Sequence, residues 1–192
     1  DDGGSAGPDA IHGWGLMNTK AAAEAISDDG NSSMIQELSL NQGQSYQVTV
    51  SAAGGPLFAS ICWTDPAGTA NTGTTNLKTP VLVNDLDIRV TQGGSTYLPW
   101  ALTSITANAK QDNVVDPYER VDISNASGAY TITVTHKGSL SSGSQAFSLV
   151  LTGLTGCTLP TPGNLTSSNI LDNSFDLNWN AVSGANDYTV TI

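Results

Sequence analysis

Basic residues are scarce in this chain of 192 residues. Lys and Arg together number 6 against 17 Asp and Glu, so the formal net charge is −11 at pH 7. Nucleic acids and anionic membrane surfaces are bound through clustered basic side chains, so this balance argues against both as partners. The acidic excess instead favours metal cations as ligands of the protein.

Charged residues are few overall, and long apolar runs are missing. Only 12% of the residues are charged, and Ser, Thr, Asn and Gly are abundant. This composition is typical of an extracellular β-sandwich rather than of a cytosolic enzyme or a disordered tail. No apolar run reaches the roughly 20 residues that span a bilayer. The chain has neither an initiator Met nor a signal peptide, so we expect an excised piece of a longer protein.

Cysteine is nearly absent, since Cys62 and Cys157 are the only two in the sequence. Their surroundings contain no metal-binding motif. Cys62 is predicted to lie in a core strand and Cys157 in a linker. The sequence leaves open whether the two form a disulfide, because pairing depends on geometry that spacing does not reveal.

The residues that are present predict one short helix followed by an all-β domain. Asn18 is a suitable N-cap for a helix over residues 19–26, which are mostly strong helix formers. From about Met34 the apolar period changes from helical to two. Several short strands then follow without strand–helix alternation, which predicts a jelly-roll-like β-sandwich over residues 34–154. The predicted inward-facing residues are Leu86, Ile88, Val121, Ile123, Ile132, Val134, Phe147 and Leu149.

The remaining connections are predicted from turn chemistry. Residues 92–95 contain Gly93 and Gly94 and predict a hairpin turn, whereas the residues from Trp100 to Asp116 predict a long polar loop. Residues 155–163 are predicted to be a linker. Residues 164–192 contain alternating segments at 175–179 and 188–192, and we expect a truncated domain there because two or three strands cannot close a sandwich.

Two acidic groups mark the strongest candidate site. Asp85 and Asp87 lie on one face of a predicted strand, where their repulsion requires a cation or a basic side chain nearby. Asp112, Asp116 and Glu119 follow in and after the polar loop. The sequence predicts that the two groups meet at a metal site. It also leaves other interpretations open: an ordinary exposed strand face, Asx-type turns in the loop, and ion pairing of Glu119 with Arg89 or Arg120.

Residues 1–30 carry a resemblance to one protease family. Gly7-Pro8-Asp9, then Gly13 to Asn18 and the alanines at 21–23, resemble the end of a subtilisin-like (subtilase) catalytic domain, with its terminal turn and Ala-rich helix. The resemblance implies a secreted serine protease as the parent. The Gly-Thr-Ser-x-x-x-Pro nucleophile motif of that family is absent, so no residue of a catalytic triad is assigned here.

The rest of the chain adds two further resemblances. Residues 34–154 resemble the β-sandwich, similar to proprotein-convertase P-domains, that follows the catalytic domain in one branch of secreted alkaline subtilases. The residues that carry this resemblance include 62–65, 82–87 and 97–100. It implies calcium (Ca²⁺) near Asp85 and Asp87, with Asp112, Asp116 and Glu119 as further ligands. Residues 165–192 resemble the start of a fibronectin type III domain.

Two functions are therefore expected for this piece. In the first, it is the non-catalytic end of a secreted subtilisin-like endopeptidase, whose sandwich braces the catalytic domain in cis and is stabilised by calcium. The substrate is then a protein, cleaved by the parent. In the alternative, the sandwich and the fibronectin-like segment attach the protease to polysaccharide or matrix, with Tyr97 and Trp100 as a sugar-stacking surface.

Overall fold

Antiparallel β-strands make up most of the structure, a computed structural model that describes residues 6–9, 11–70, 72–73, 79–156 and 162–182. The chain divides into two units, Asp1–Gly156 and Cys157–Ile192. In the first unit the described helix and strands are α1 (Thr19–Ser27), β1 (Ser33–Asn41), β2 (Tyr46–Ala53), β3 (Leu57–Cys62), β4 (Asp85–Gln92), β5 (Ser95–Tyr97), β6 (Trp100–Ser104), β7 (Ala107–Lys110), β8 (Tyr118–Ile123), β9 (Ser127–Lys137) and β10 (Ser144–Thr152).

Two four-stranded sheets form a β-sandwich, which confirms the predicted fold class. One sheet has the order β1-β10-β3-β8 and the other β2-β9-β4-β5, and a separate hairpin is made by β6 and β7. One apolar core draws on both sheets, so each sheet buries one face against the other. Strands β1 to β4 alternate between the sheets, an order compatible with the predicted jelly roll, which stays a prediction.

The predicted inward face is confirmed at every position. All eight residues of the predicted set are buried in the core, with at most 8% of any one exposed. On β4, Leu86, Ile88 and Val90 point into the core. The turn between β4 and β5 is also as predicted, since Gln92 pairs with Ser95 and both central glycines have positive φ.

Cys62 is not a core residue, so that prediction is wrong. Alternation along β3 turns Leu57, Ala59 and Ile61 inward. Cys62 therefore faces outward and is a free, exposed cysteine. Trp63 follows as a buried residue, and its indole N–H donates to the Asn84 carbonyl at 3.0 Å.

The predicted polar loop after Trp100 contains the β6–β7 hairpin, so its prediction as a loop is wrong there. Alternation is weak in this stretch, and residues 107–110 are poor strand formers, which hides the hairpin from sequence analysis. Tertiary contacts stabilise it: Asn108 Nδ2 donates to the carbonyls of Ala6 and Pro8 at 3.0 and 2.8 Å. Gln111 N–H donates to the Pro99 carbonyl at 2.8 Å and closes the hairpin.

Helix α1 begins as predicted and ends one residue later than predicted. Asn18 accepts a hydrogen bond from Ala21 N–H through its side chain, at 3.0 Å. No residue of α1 is buried. Its contact with the sandwich includes a hydrogen bond from Ser33 Oγ to the Ala25 carbonyl. The helix therefore receives little stabilisation from the sandwich.

Asn84 connects separate parts of the sandwich just before β4. Its side chain is buried; Nδ2 donates to Gln145 Oε1 at 2.6 Å, and Oδ1 accepts from Ser141 N–H at 2.7 Å. Its backbone N–H donates to Asp65 Oδ1 at 2.8 Å. These contacts make Asn84 a structural residue of the sandwich.

Substituting Asn84 tests this connection. Asn84→Ala leaves Gln145 and the Ser141 N–H without these partners, so we expect the free energy of unfolding to fall by about 2 kcal/mol. Asn41→Ala is the control, because Asn41 is exposed and its side chain bonds Gln44 at the surface; we expect a change within about 0.5 kcal/mol. Urea unfolding measures both, and equal effects would contradict the assigned role of Asn84.

The second unit is described over residues 162–182. Strands β11 (Thr166–Ser168) and β12 (Asp176–Asn178) pair antiparallel. The strand predicted at 175–179 is found in shortened form as β12, and Trp179 beside it is half-buried. The strand predicted at 188–192, most of the predicted linker, and Cys157 lie outside the described residues.

Candidate functional site

Two carboxylates of β4 meet a lysine at the end of β9. The pairing register of these strands places Asp85 opposite Lys137. Lys137 Nζ lies 2.9 Å from Asp87 Oδ1 and 3.4 Å from Asp85 Oδ2. Asp87 is buried, with 4% of the residue exposed. Two of the five predicted metal ligands are thus brought together around an ammonium group of the protein itself.

Asp112 joins this group from the loop after β7. Its Oδ2 lies 2.7 Å from Lys137 Nζ, and its Oδ1 accepts a hydrogen bond from Arg89 Nη2. The same Arg89 nitrogen lies 2.9 Å from Asp87 Oδ1. Asp112 and Asp87 therefore each contact both cations. We call the following five residues the ionic cluster: Asp85, Asp87, Arg89, Asp112 and Lys137.

Glu119 on β8 lies beside the ionic cluster and is fully buried. Its Oε2 accepts a hydrogen bond from Ile88 N–H at 2.7 Å, while Arg89 Nη1 donates to the Ile88 carbonyl at 2.8 Å. Glu119 and Arg89 thus provide the hydrogen-bond partners of the Ile88 N–H and carbonyl groups that a neighbouring strand would otherwise provide. Glu119 Oε2 lies 3.7 Å from Arg89 Nη1, and Glu119 Oε1 is buried without a hydrogen-bond partner.

Burial changes the protonation of Glu119. Desolvation raises the pKa of Glu119 from 4.5 to about 8, against the opposing effect of the Ile88 N–H. With this pKa, the protonated and uncharged form of Glu119 predominates at neutral pH. Glu119 then adds little negative charge beside the ionic cluster.

The charged groups of the cluster shift each other's protonation. Burial raises the pKa of Asp85 and of Asp87, and Lys137 opposes that rise. At Asp112 burial also raises the pKa, but the adjacent Lys137 ammonium and Asp87 carboxyl reverse the effect and lower it. At Lys137 burial lowers the pKa, but the adjacent carboxylates of Asp112 and Asp87 raise it overall. When the three aspartates are ionised, they face two cationic side chains.

Asp116 belongs to a different arrangement. Its Oδ2 accepts a hydrogen bond from Asn113 Nδ2 at 3.0 Å. Asn113 is buried, and its Oδ1 accepts from the N–H groups of Val115 and Asp116. This is the Asx-type turn that the sequence left open as the alternative for the loop. The turn shapes the loop between Asp112 and β8.

The fit of these residues to calcium is poor as they are arranged here. Calcium takes about six to eight oxygen ligands at roughly 2.3–2.6 Å. The Lys137 ammonium lies where Asp85, Asp87 and Asp112 converge. In the described part of the chain, no group of three or more His, Cys, Asp or Glu side chains is arranged to hold a metal ion. The unpartnered oxygens Asp85 Oδ1 and Glu119 Oε1 are the features in favour of a metal.

No local sequence pattern marks Lys137 as part of this site. Its contribution depends on the register between β4 and β9, which are far apart in the chain. A period-two pattern identifies the faces of each strand but not which residues stand opposite each other. The sequence gives one indirect indication of such a residue: the charges of Asp85 and Asp87 require either a metal ion or a basic side chain nearby.

No protein-family model matches the chain, and a search of curated proteins found no significant match. In the part of the chain that the structure describes, no helix has the length and apolar character needed to cross a membrane.

The aromatic residues proposed for sugar stacking are engaged within the fold. Tyr97 packs against the core, with its ring centroid 6.1 Å from that of Tyr130. The Trp100 indole N–H donates to Asp122 Oδ2 at 3.0 Å. Gly7 lies against the Trp100 ring so closely that a Cβ there would be 2.7 Å from it. Sugar binding by these two residues stays a prediction without structural support.

Proposed function

We propose that residues 34–154 form the accessory, non-catalytic β-sandwich of a secreted subtilisin-like endopeptidase, and that residues 1–30 end its catalytic domain. The observation that carries this proposal is a set of large apolar side chains that the sandwich leaves uncovered. They are 68–83% exposed and comprise Ile11, Leu16, Met17 and Ile26. Four strongly exposed large apolar side chains within residues 11–26 support a segment that another body covers.

Other residues of the same N-terminal segment contact the sandwich. Pro8 is buried, and its carbonyl accepts a hydrogen bond from Asn108. The Trp14 ring meets the Tyr118 ring edge-on at 5.0 Å, and the Arg120 guanidinium lies 5.3 Å from the Trp14 ring centre. A segment held by the sandwich that still exposes apolar residues suits a junction between two domains.

The alternative, attachment to polysaccharide or matrix, stays a prediction. Calcium binding by Asp85, Asp87, Asp112, Asp116 and Glu119 also stays a prediction, with the orphan carboxylate oxygens in its favour and the Lys137 ammonium against it. Secretion likewise stays a prediction, because nothing in the fold tests it.

The exposed apolar residues provide a test of the proposed junction. A Leu16→Ser, Met17→Ser double variant is expected to leave the melting temperature of this chain within about 1 °C of the original, since neither side chain is buried. In the longer protein the same changes are expected to lower the melting temperature and to hasten autolysis. A loss of stability that is equally large in the isolated chain would contradict the junction.

Two further measurements decide the protease assignment. The purified chain is expected to show no casein hydrolysis, because it lacks the nucleophile motif of the family. Reading the gene upstream of Asp1 is expected to reveal Asp, His and a Gly-Thr-Ser-x-x-x-Pro segment. Hydrolysis that a serine-directed inhibitor abolishes, or an upstream region without that triad, would overturn the proposal.

A further inference from the structure

We propose that the Lys137 ammonium is the resident cation of the ionic cluster, and that the sandwich is stabilised there without a metal ion. The three carboxylates of the cluster converge on this one nitrogen at 2.7, 2.9 and 3.4 Å. This inference concerns the sandwich alone and does not depend on the proposed function.

The position of Lys137 follows from the fold rather than from a mobile side chain. The residue ends β9, and its backbone is fixed opposite Asp85 by the β4–β9 register. Its side chain is 37% exposed overall, but the Nζ atom itself is buried, and the Asp87 side chain is only 6% exposed. The ammonium therefore lies beside a carboxylate that is almost entirely desolvated, which is where a cation compensates charge most strongly.

Arg89 completes the compensation from within β4. Its guanidinium contacts Asp87 and Asp112 and donates to the Ile88 carbonyl. The three carboxylates of the cluster thus face two cations. A calcium ion added to this arrangement would lie beside both cations, so its binding requires Lys137 to move away. The same contacts join β4, β9 and the loop after β7.

Removing the ammonium should convert the cluster into a metal site. Lys137→Met leaves three carboxylates with Arg89 as their only cation in the cluster. The distances from Nζ to Asp112 and Asp87, 2.7 and 2.9 Å, are only slightly longer than calcium–oxygen distances, and that to Asp85, 3.4 Å, would have to shorten. In chelator we expect this variant to melt roughly 5 °C or more below the original chain. Millimolar calcium is expected to restore several degrees of that loss, because it binds the folded state alone.

The original chain and two further variants complete the experiment. The original is expected to melt at the same temperature in chelator, calcium and magnesium. Lys20→Met is the matched control, because Lys20 forms an exposed ion pair with Glu24 on α1; we expect it to melt within about 1 °C of the original in each condition. Lys137→Arg keeps the positive charge and is expected to remain insensitive to calcium.

Calorimetric titration of the original chain with calcium decides the case in which Lys137→Met fails to fold. No binding below millimolar concentration supports the proposal. Binding that Asp87→Asn abolishes would overturn it and establish the calcium site instead. The proposal is also overturned if calcium raises the melting temperature of the original chain, or if Lys137→Met folds but melts at the same temperature as the original in chelator.

Discussion

Replacing Glu119 with Gln is expected to raise the melting temperature of the sandwich at pH 9 and to change it little at pH 5. The carboxyl group is fully buried, and its pKa in the folded state is about 8. An amide has nearly the same shape and cannot ionise. Its oxygen keeps the hydrogen bond that Glu119 Oε2 accepts from Ile88 N–H.

The direction of this effect follows from the raised pKa. Below about pH 4.5 the carboxyl is protonated in both the folded and unfolded states, so its contribution to stability is complete. Between about pH 4.5 and 8 the unfolded chain releases the proton while the folded chain retains it, so stability falls as the pH rises. Above that range the folded chain contains a buried, ionised carboxylate, and the loss is complete.

The size of this contribution is a few kcal/mol, because each pKa unit corresponds to about 1.4 kcal/mol. For a domain of this size that is a shift of roughly 5 °C or more between pH 5 and pH 9. Asp85 and Asp87 also have raised pKa values and act in the same direction. The informative quantity is therefore the difference in melting temperature between the Gln variant and the original at each pH.

Thermal melts in chelator at pH 5, 7 and 9 measure this difference. Glu37→Gln is the control for the loss of one carboxyl, because Glu37 is exposed on β1 and accepts a hydrogen bond from Ser148. We expect the difference to widen with pH for Glu119→Gln. If both chains lose the same stability between pH 5 and pH 9, Glu119 is not protonated in the folded state.

Gly153→Ala is expected to disrupt the sandwich, whereas Gly54→Ala is expected to be tolerated at moderate cost. Both glycines have positive φ, 85° and 97°. A Cβ on Gly153 would lie 1.9 Å from the Pro56 carbonyl oxygen, whereas one on Gly54 would meet nothing within 4 Å. The two variants share the backbone penalty of about 1–2 kcal/mol and differ in the clash.

The clash cannot be relieved by a side-chain movement, because the obstructing atom belongs to the backbone. Gly153 also accepts a hydrogen bond from Ala53 N–H, and Leu154 beside it forms a bridge with Ala52. Moving Gly153 away would therefore break contacts between the end of β10 and β2. We expect Gly153→Ala to lower the free energy of unfolding by about 4 kcal/mol or more. Single substitutions cause losses of this size only through a specific defect, such as a backbone clash.

Urea unfolding followed by circular dichroism compares the two variants. Gly54→Ala is expected to lower the midpoint modestly without changing the slope. Gly153→Ala is expected to be largely unfolded or to unfold at very low urea. Equal midpoints would show that a Cβ on Gly153 does not clash with the Pro56 carbonyl oxygen.

Local patterns in the sequence determined the fold class and the inward face. Leu86, Ile132 and Leu149 were identified because the side-chain period of a strand is two, and this period is visible without knowing the partner strand. The N-cap of α1 and the two-glycine turn between β4 and β5 are also predictable from the sequence, because each depends only on residues that are close together in the chain. The β6–β7 hairpin was missed because tertiary contacts from Asn108, and not local propensity, stabilise it.

The candidate site was predicted only in part. The acidic residues are identifiable as candidates from the sequence alone, because charge on a half-buried strand requires compensation. Tertiary structure alone decided how that compensation is made. It placed Lys137 opposite Asp85, turned Glu119 toward the Ile88 N–H, and kept Asp116 in a separate turn. These outcomes depend on strand register and on the distance between sheets, which are properties of residues far apart in the chain and are not encoded in any local period.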